Sequence, residues 1–169
     1  MNEDEKEIKA PRAPRLTLRK EEKLRHKSLV DPLFREGKSI YEFPLRLTWR
    51  LLSPEDLERS FKGPLPECIG KLQMQITVPK KKRRRAVDRV LMRRRIREAY
   101  RLCRKELLGD VAMLPSTGTL SMSFIYIHND NLPYSTIRRK MQSLLKKLAS
   151  KAIPHDEGEL GLSDGNQSN

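Results

Sequence analysis

Residues 72–102 read LQMQITVPKKKRRRAVDRVLMRRRIREAYRL, and their hydrophobic period changes midway. Leu72, Met74, Ile76 and Val78 alternate with Gln73, Gln75 and Thr77, as in a strand with one buried face. Pro79 closes the strand. Lys80 to Arg85 is an unbroken run of six basic residues and reads as a connecting loop. Beyond it, a turn of 100° per residue gathers Met92, Ile96, Ala99, Tyr100, Cys103 and Leu107 on one side of a helix. Arg93, Arg97, Arg101 and Arg104 form an adjoining stripe, with Arg94 at its edge. Asp88 is predicted to cap this helix, and Gly109 and Asp110 to end it.

Upstream, Leu45, Leu47, Trp49 and Leu51 alternate with Arg46, Thr48 and Arg50 in a second strand, Pro44 to Leu52. Ser53 to Gly70 is a Pro- and Gly-containing loop with one helical turn over Pro54 to Arg59. Earlier still, Ser28 is predicted to cap a short helix with Pro32 in its first turn. Val30, Leu33 and Phe34 share a face there, and Gly37 stands at its C′ position, free to take positive φ. Downstream, Ser121 to His128 has Met122, Phe124 and Tyr126 on one side and Ile125 and Ile127 on the other, which suits a central strand. After the turn His128 to Pro133, Ser135 is predicted to cap a last helix. Its buried stripe holds Ile137, Met141, Leu144 and Leu148, and Arg138, Arg139, Lys140, Lys146 and Lys147 lie mostly outside it. The order helix, strand, strand, helix, strand, helix leaves room for one more short strand before the long loop. It predicts a two-layer α/β sandwich, one sheet with helices mostly on one face.

The chain has 169 residues and a net charge of +14, and Pro79 to Lys105 alone carries fourteen Lys and Arg against Asp88 and Glu98. A solvated basic face is the plain explanation of such a run. Charge this dense repels itself, however, and favours a polyanionic partner whose phosphates release counterions on binding. Guanidinium groups grip phosphate through two parallel hydrogen bonds, so an arginine stripe suits the backbone of a folded RNA better than a base sequence. DNA stays open on this argument, although no zinc-ligand spacing, helix-turn-helix pair or heptad repeat appears. Arg46, Arg50 and Gln75 are candidates for an open sheet face. Of the aromatics, packing is expected to claim Phe34 and Phe124, and Trp49 stands between core and cleft.

Other classes are disfavoured. No window approaches the roughly 18 apolar residues of a membrane span. Met1 to Lys9 lacks the apolar centre of a signal peptide, so the chain reads as cytoplasmic. Residues 1–15 form a flexible, acidic and Pro-containing opening, 16–153 a single RNA-binding α/β domain, and 154–169 a disordered acidic tail. Cys68 and Cys103 make neither a disulfide framework nor a metal site and are expected to be reduced. His26, His128 and His155 show no pairing, and the carboxylates do not cluster as a metal-dependent nuclease requires. No catalytic residue and no metal ligand is assigned to the chain.

The stretches LRHKSLVDPLFREGKS, FPLRLTW, residues 72–102 and TIRRKMQSLLKKL resemble the protein components of bacterial ribonuclease P from about Leu24 to Leu148. The most specific is the strand, lysine pair, basic loop and helix of the pattern R-N-R-x-K-R-x-x-R. The resemblance implies a small mixed sheet with a left-handed βαβ crossover, similar to ribosomal-protein domains. It also implies a ribonucleoprotein endoribonuclease that removes the 5′ leader of precursor tRNA, with Mg²⁺-dependent hydrolysis performed by the RNA subunit. Carried onto this chain, the residues meeting ribonuclease P RNA are Lys80, Lys81, Arg89, Arg93, Arg94 and Arg97, with Arg101 of the stripe beside them. The leader-binding cleft takes Val30, Phe34, Arg46 and Trp49. Val90 and Leu91 stand where the family pattern has Asn and Arg, and Val30 stands in place of a Phe. The alternative reading is a structural rRNA-binding or RNA-assembly protein with the same basic helix.

Overall fold

The computed structural model describes residues 16–111 and 118–152, with side chains over 16–104 and 118–152. The readings for 1–15 and for the acidic tail lie outside these residues, and the reading for Leu107 lies outside the described side chains. The order is a 3₁₀ turn (Lys20–Glu22), α1 (Lys27–Glu36), β1 (Lys38–Glu42), β2 (Leu45–Leu52), α2 (Pro54–Arg59), β3 (Leu72–Thr77), α3 (Ala86–Val111), β4 (Thr119–Tyr126) and α4 (Tyr134–Ala152). The sheet runs β1-β2-β4-β3. β2 is antiparallel to β1 and to β4, and β3 is parallel to β4. α3 is therefore the crossover of a βαβ unit, and β4 is central as its two-sided apolar pattern predicts.

The period-two alternation gives the sheet two unlike faces. Ile76, Phe124, Leu47 and Ile40 line up across the four strands, and Met74, Met122 and Trp49 form the neighbouring row. These residues join Met92, Ile96, Ala99, Tyr100 and Cys103 of α3 and Ile137, Met141, Leu144 and Leu148 of α4 in the main core. The opposite face carries Gln75, Ser123, Thr48 and Ser39 in one row and Thr77, Ile125, Arg46 and Tyr41 in the next. α1 lies on this polar side. Leu29 and Leu33 of α1 build a smaller core with Leu24, Leu52 and Leu57.

Several local expectations change. α1 begins at Lys27 with His26 as its N-cap, so Ser28 is inside the helix. The amides of both Leu29 and Val30 bond to the His26 carbonyl, a tight first turn that starts the helix early. Pro32 is thereby the sixth helical residue, beyond the first turn. Gly37 has φ −69°, not positive φ. Its small size is used instead for close approach: a Cβ there would stand 2.2 Å from the Leu33 carbonyl oxygen and 2.9 Å from Thr48 Cγ2. α3 begins two residues before Asp88, whose carboxylate faces Arg83 at 2.9 Å and accepts from Asn131 Nδ2 at 2.8 Å. The same helix continues through Gly109 and Asp110 to Val111, and at about 1.5 Å per residue it is about 39 Å long. α4 likewise begins at Tyr134, placing Ser135 within it. The short turn over Pro54–Arg59 is present as expected, capped by Ser53 Oγ accepting from the Asp56 amide at 3.2 Å. The additional short strand is β1.

α4 is fastened to β1 by Glu42, which meets Lys140 at 3.0 Å and Lys147 at 2.5 Å. The hydrogen bonds from Lys147 and Lys140 hold its carboxyl at about 2, well below the ordinary 4.5. A depressed carboxyl stabilises the fold above its unfolded value, and that stability is lost as pH falls through the folded one. Glu42→Gln should therefore lower the urea midpoint at neutral pH. The gap from the parent chain should narrow as pH falls from 4.5 to about 2. A gap constant across that window in urea titrations would show that the clamp contributes no linkage.

Candidate nucleic-acid interface

With Met92, Ile96 and Tyr100 in the core, the rotation of α3 is set and so is the direction of each arginine. Arg94 and Arg97 are exposed and Arg93 is half-buried. Lys80 and Lys81, at the start of the basic loop, are exposed as well. Among the described residues, Lys80, Lys81, Arg84, Arg85, Arg93, Arg94 and Arg97 make no side-chain hydrogen bond or ion pair.

Other basic residues of the same run are engaged within the protein. Arg89 Nη1 donates to the carbonyls of Arg83 at 2.9 Å and Arg84 at 2.5 Å, so it shapes the basic loop from below. Arg83 reaches Asp88 and the Asn129 carbonyl, and Arg95 reaches the Leu132 carbonyl. These bonds tie the loop and α3 to the turn before α4. Arg101 forms a two-pronged pair with Glu98, Nε at 2.9 Å and Nη2 at 2.5 Å. The hydrogen bonds from Arg101 hold the Glu98 carboxyl below its usual range. Arg104, placed on the outward stripe by the helical wheel, is buried and bonds to Glu22 and to the Thr17 carbonyl. Val90, where the family pattern has Asn, is 38% exposed on the outward side.

Two basic concavities result. One, of about 580 Å³, lies between the chain before α1 and the flank of α3, lined by Thr17, Leu18, Lys23, Arg94, Arg97, Glu98 and Arg101. The other, of about 540 Å³, is formed by Lys81, Lys82, Arg83, Arg84 and Arg85 with Asp88 and Asn129. Both have the cationic walls that a phosphodiester backbone requires.

A third surface lies on the polar sheet face beside α1. Phe34 is 48% exposed, contrary to the expectation that packing claims it, and Val30 is half-buried against the smaller core. Arg46 Nη2 donates to Ser39 Oγ at 3.3 Å, and its guanidinium lies 5.4 Å from the ring centre of Tyr41. Behind it, Ser39 Oγ is 3.4 Å from Thr48 Oγ1, and Gln75 Nε2 donates to Ser123 Oγ at 3.2 Å. This is a hydroxyl- and amide-lined floor with a guanidinium and two exposed aromatic rings near it. Val30, Phe34 and Arg46 belong to this side. Trp49 does not: it is 4% exposed and packs in the main core, on the face covered by α3 and α4. Tyr41 is the residue that sequence reasoning missed. The alternation of Ser39 and Tyr41 about Ile40 was the available signal, in a strand only five residues long.

No group of three or more His, Cys, Asp or Glu comes together among the described residues to hold a metal ion. Cys68 is exposed and Cys103 buried. No helix among the described residues is long and apolar enough to cross a membrane.

The ribonuclease P protein-family model matches residues 18–149. The ribonuclease P protein components of two Porphyromonas gingivalis strains are similar to the chain. One, from strain W83, is 34% identical over 137 residues, covering 80% of this chain and 89% of the relative. The other, from strain ATCC 33277, is 35% identical over 133 residues, covering 78% and 86%. The structure of the Staphylococcus aureus RNase P protein superposes with a TM-score of 0.51 at 15% identity, over 75% of this chain and 94% of that one. That likeness reaches the mixed sheet and its βαβ crossover. The sequence match, the fold and the arginine-lined crossover helix lead to one conclusion: the chain belongs to the ribonuclease P protein family.

Proposed function

We propose that this chain is the protein subunit of a ribonucleoprotein endoribonuclease that matures the 5′ end of tRNA. In this reading, Arg93, Arg94 and Arg97 of α3, with Lys80 and Lys81 of the loop, dock on the RNA subunit. The single-stranded 5′ leader of precursor tRNA runs along the polar sheet face beside Phe34 and Arg46. Hydrolysis, with its Mg²⁺, belongs to the RNA subunit, and the protein binds and orients. The observation that carries the reading is the division of α3: one face in the core, and beside it guanidinium groups with no partner among the described residues. Family membership supplies the RNA partner, and the exposed rings of Phe34 and Tyr41 with Arg46 on the polar sheet side support a role beyond scaffolding. A purely structural rRNA-binding protein would use the same helix but has no need of that surface.

Val30 departs from the family's Phe, so stacking on this side falls to Phe34, with Tyr41 at the rim. Arg89 and Arg101 are assigned indirect parts. Arg89 holds the basic loop in shape, and Arg101 acts with its charge largely answered by Glu98.

Three outcomes test this. Arg93→Gln with Arg97→Gln should weaken affinity for the RNA subunit and flatten its salt dependence, by about 0.7–0.9 in log–log slope for each phosphate contact removed. An unchanged slope and affinity would remove α3 from the docking surface. Phe34→Ala should leave that docking intact yet lose about 1–3 kcal/mol of stacking on precursor tRNA with an unpaired leader, and nothing on mature tRNA. Equal losses on both substrates would refute the leader path. Glu98→Gln should release Arg101 and tighten RNA binding most at low salt, measurable by titration across salt concentrations. Weaker binding would mean that Glu98 orients Arg101 productively.

A further inference from the structure

The chain before α1 is bound to the rest of the fold by more than its sequence position requires. The Leu24 amide donates to the Met74 carbonyl at 2.9 Å, and Lys23 pairs with Met74 as a parallel bridge along the outer edge of β3. The Glu21 carbonyl accepts from the Gly70 amide at 3.2 Å and from Gln73 Nε2 at 3.4 Å. Leu18 packs against the main core. Where this segment crosses α3, the contact is ionic: Arg104 meets the Glu22 carboxylate, and its Nη2 donates to the Thr17 carbonyl at 3.0 Å. Both side chains are largely withdrawn from water, Arg104 6% and Glu22 14% exposed.

An arginine in the most basic helix of a nucleic-acid-binding chain is ordinarily counted as a phosphate contact. Arg104 is buried under its own protein, with two of its donor nitrogens already engaged. What it holds in place is one wall of the groove of about 580 Å³, where Thr17, Leu18 and Lys23 face Arg94, Arg97 and Arg101. Of these cations, only Arg101 has a carboxylate partner among the described residues. A groove with one wall on a helix and the other on a strap is only as well formed as the strap is ordered.

We propose that Arg104 is a positioning residue: paired with Glu22, it latches residues 17–23 against α3, so that Lys23 joins Arg94, Arg97 and Arg101 around one phosphate-binding groove for the RNA backbone. This rests on the docking role of α3 proposed above, and it adds a site composed of two chain segments. The latch works through burial. Removing one partner of a withdrawn ion pair leaves the other charge unanswered, which strongly disfavours the closed arrangement. Order in the strap and charge in the groove are then one property.

The test uses the full chain and two readouts. In the protein alone, Glu22→Gln and Arg104→Met should each speed hydrogen exchange at the Leu24 amide about tenfold or more, while β4 amides keep their protection. On the RNA subunit, both variants should weaken binding and lower the salt slope by about one contact, as Lys23 drops out, with leader affinity unchanged. The sign of the Glu22→Gln effect is decisive. If Arg104 were itself a phosphate contact, neutralising Glu22 would tighten RNA binding, and that result would overturn the proposal. Unchanged Leu24 protection in both variants would overturn it equally. Should Arg104→Met disturb β4 as well, Arg104→Lys keeps the charge with fewer directed donors and must still loosen Leu24. If Arg93→Gln with Arg97→Gln leaves affinity untouched, the docking role fails, while the latch is still decided by exchange at Leu24.

Discussion

The rotational setting of α3 governs the basic surface of this protein. Met92, Ile96, Ala99, Tyr100 and Cys103 enter the core, and a helix with that face fixed has no freedom left to choose where its other residues point. The setting depends in turn on the apolar row that crosses the sheet from Ile40 through Leu47 and Phe124 to Ile76. Fully burying each side chain of that size is worth about 1.5–3 kcal/mol, far more than exposed arginines lose by mutual repulsion at physiological salt. Packing thus holds like charges together in a pattern they would not adopt alone.

The same alternation that makes one face oily makes the other wet. Ser39, Thr48, Ser123 and Gln75 form a chain of small polar groups across four strands. Thr48 and Ser123 are nonetheless buried, because α1 and its glycine-ended turn press close. Burying hydroxyls is tolerable where they bond to each other, and the contacts between Ser39 and Thr48 and between Gln75 and Ser123 do this. Farther along the same face the satisfaction is incomplete: Ser121 Oγ, Gln73 Oε1 and Arg46 Nε are buried with no hydrogen-bond partner among the described residues.

Much of this was legible in the residues, and the exceptions have physical causes. The long α3 and the strands β2, β3 and β4 repeat their period often enough to be read directly. Helix starts were misplaced at Ser28, Asp88 and Ser135 because the first helical backbone bonds run to the carbonyls of His26, Arg85 and Pro133, none of which offers the side-chain oxygen the sequence reading looked for. β1 is too short for its alternation to stand out, so Tyr41 went unnoticed. Trp49 is instructive: alternation alone put it with Leu45 and Leu47, on the core side, and the family resemblance drew it to the cleft. Arg104 lay beyond any local reading, since its partner Glu22 is 82 residues distant and a helical wheel sees only neighbours. Glu98 and Arg101, three residues apart on one helix, could have been paired from spacing alone.

The bridge between Lys23 and Met74 has one more effect. A sheet exposes two unpaired rims, each able to template the backbone of another molecule. Here the strap occupies part of the rim at β3, and the opposite rim at β1 is only five residues long, begins with Lys38 and ends with Glu42. Short, charged rims resist strand-to-strand aggregation, so the two edges of this sheet are closed to other backbones by different means, a covering segment at one and brevity with charge at the other.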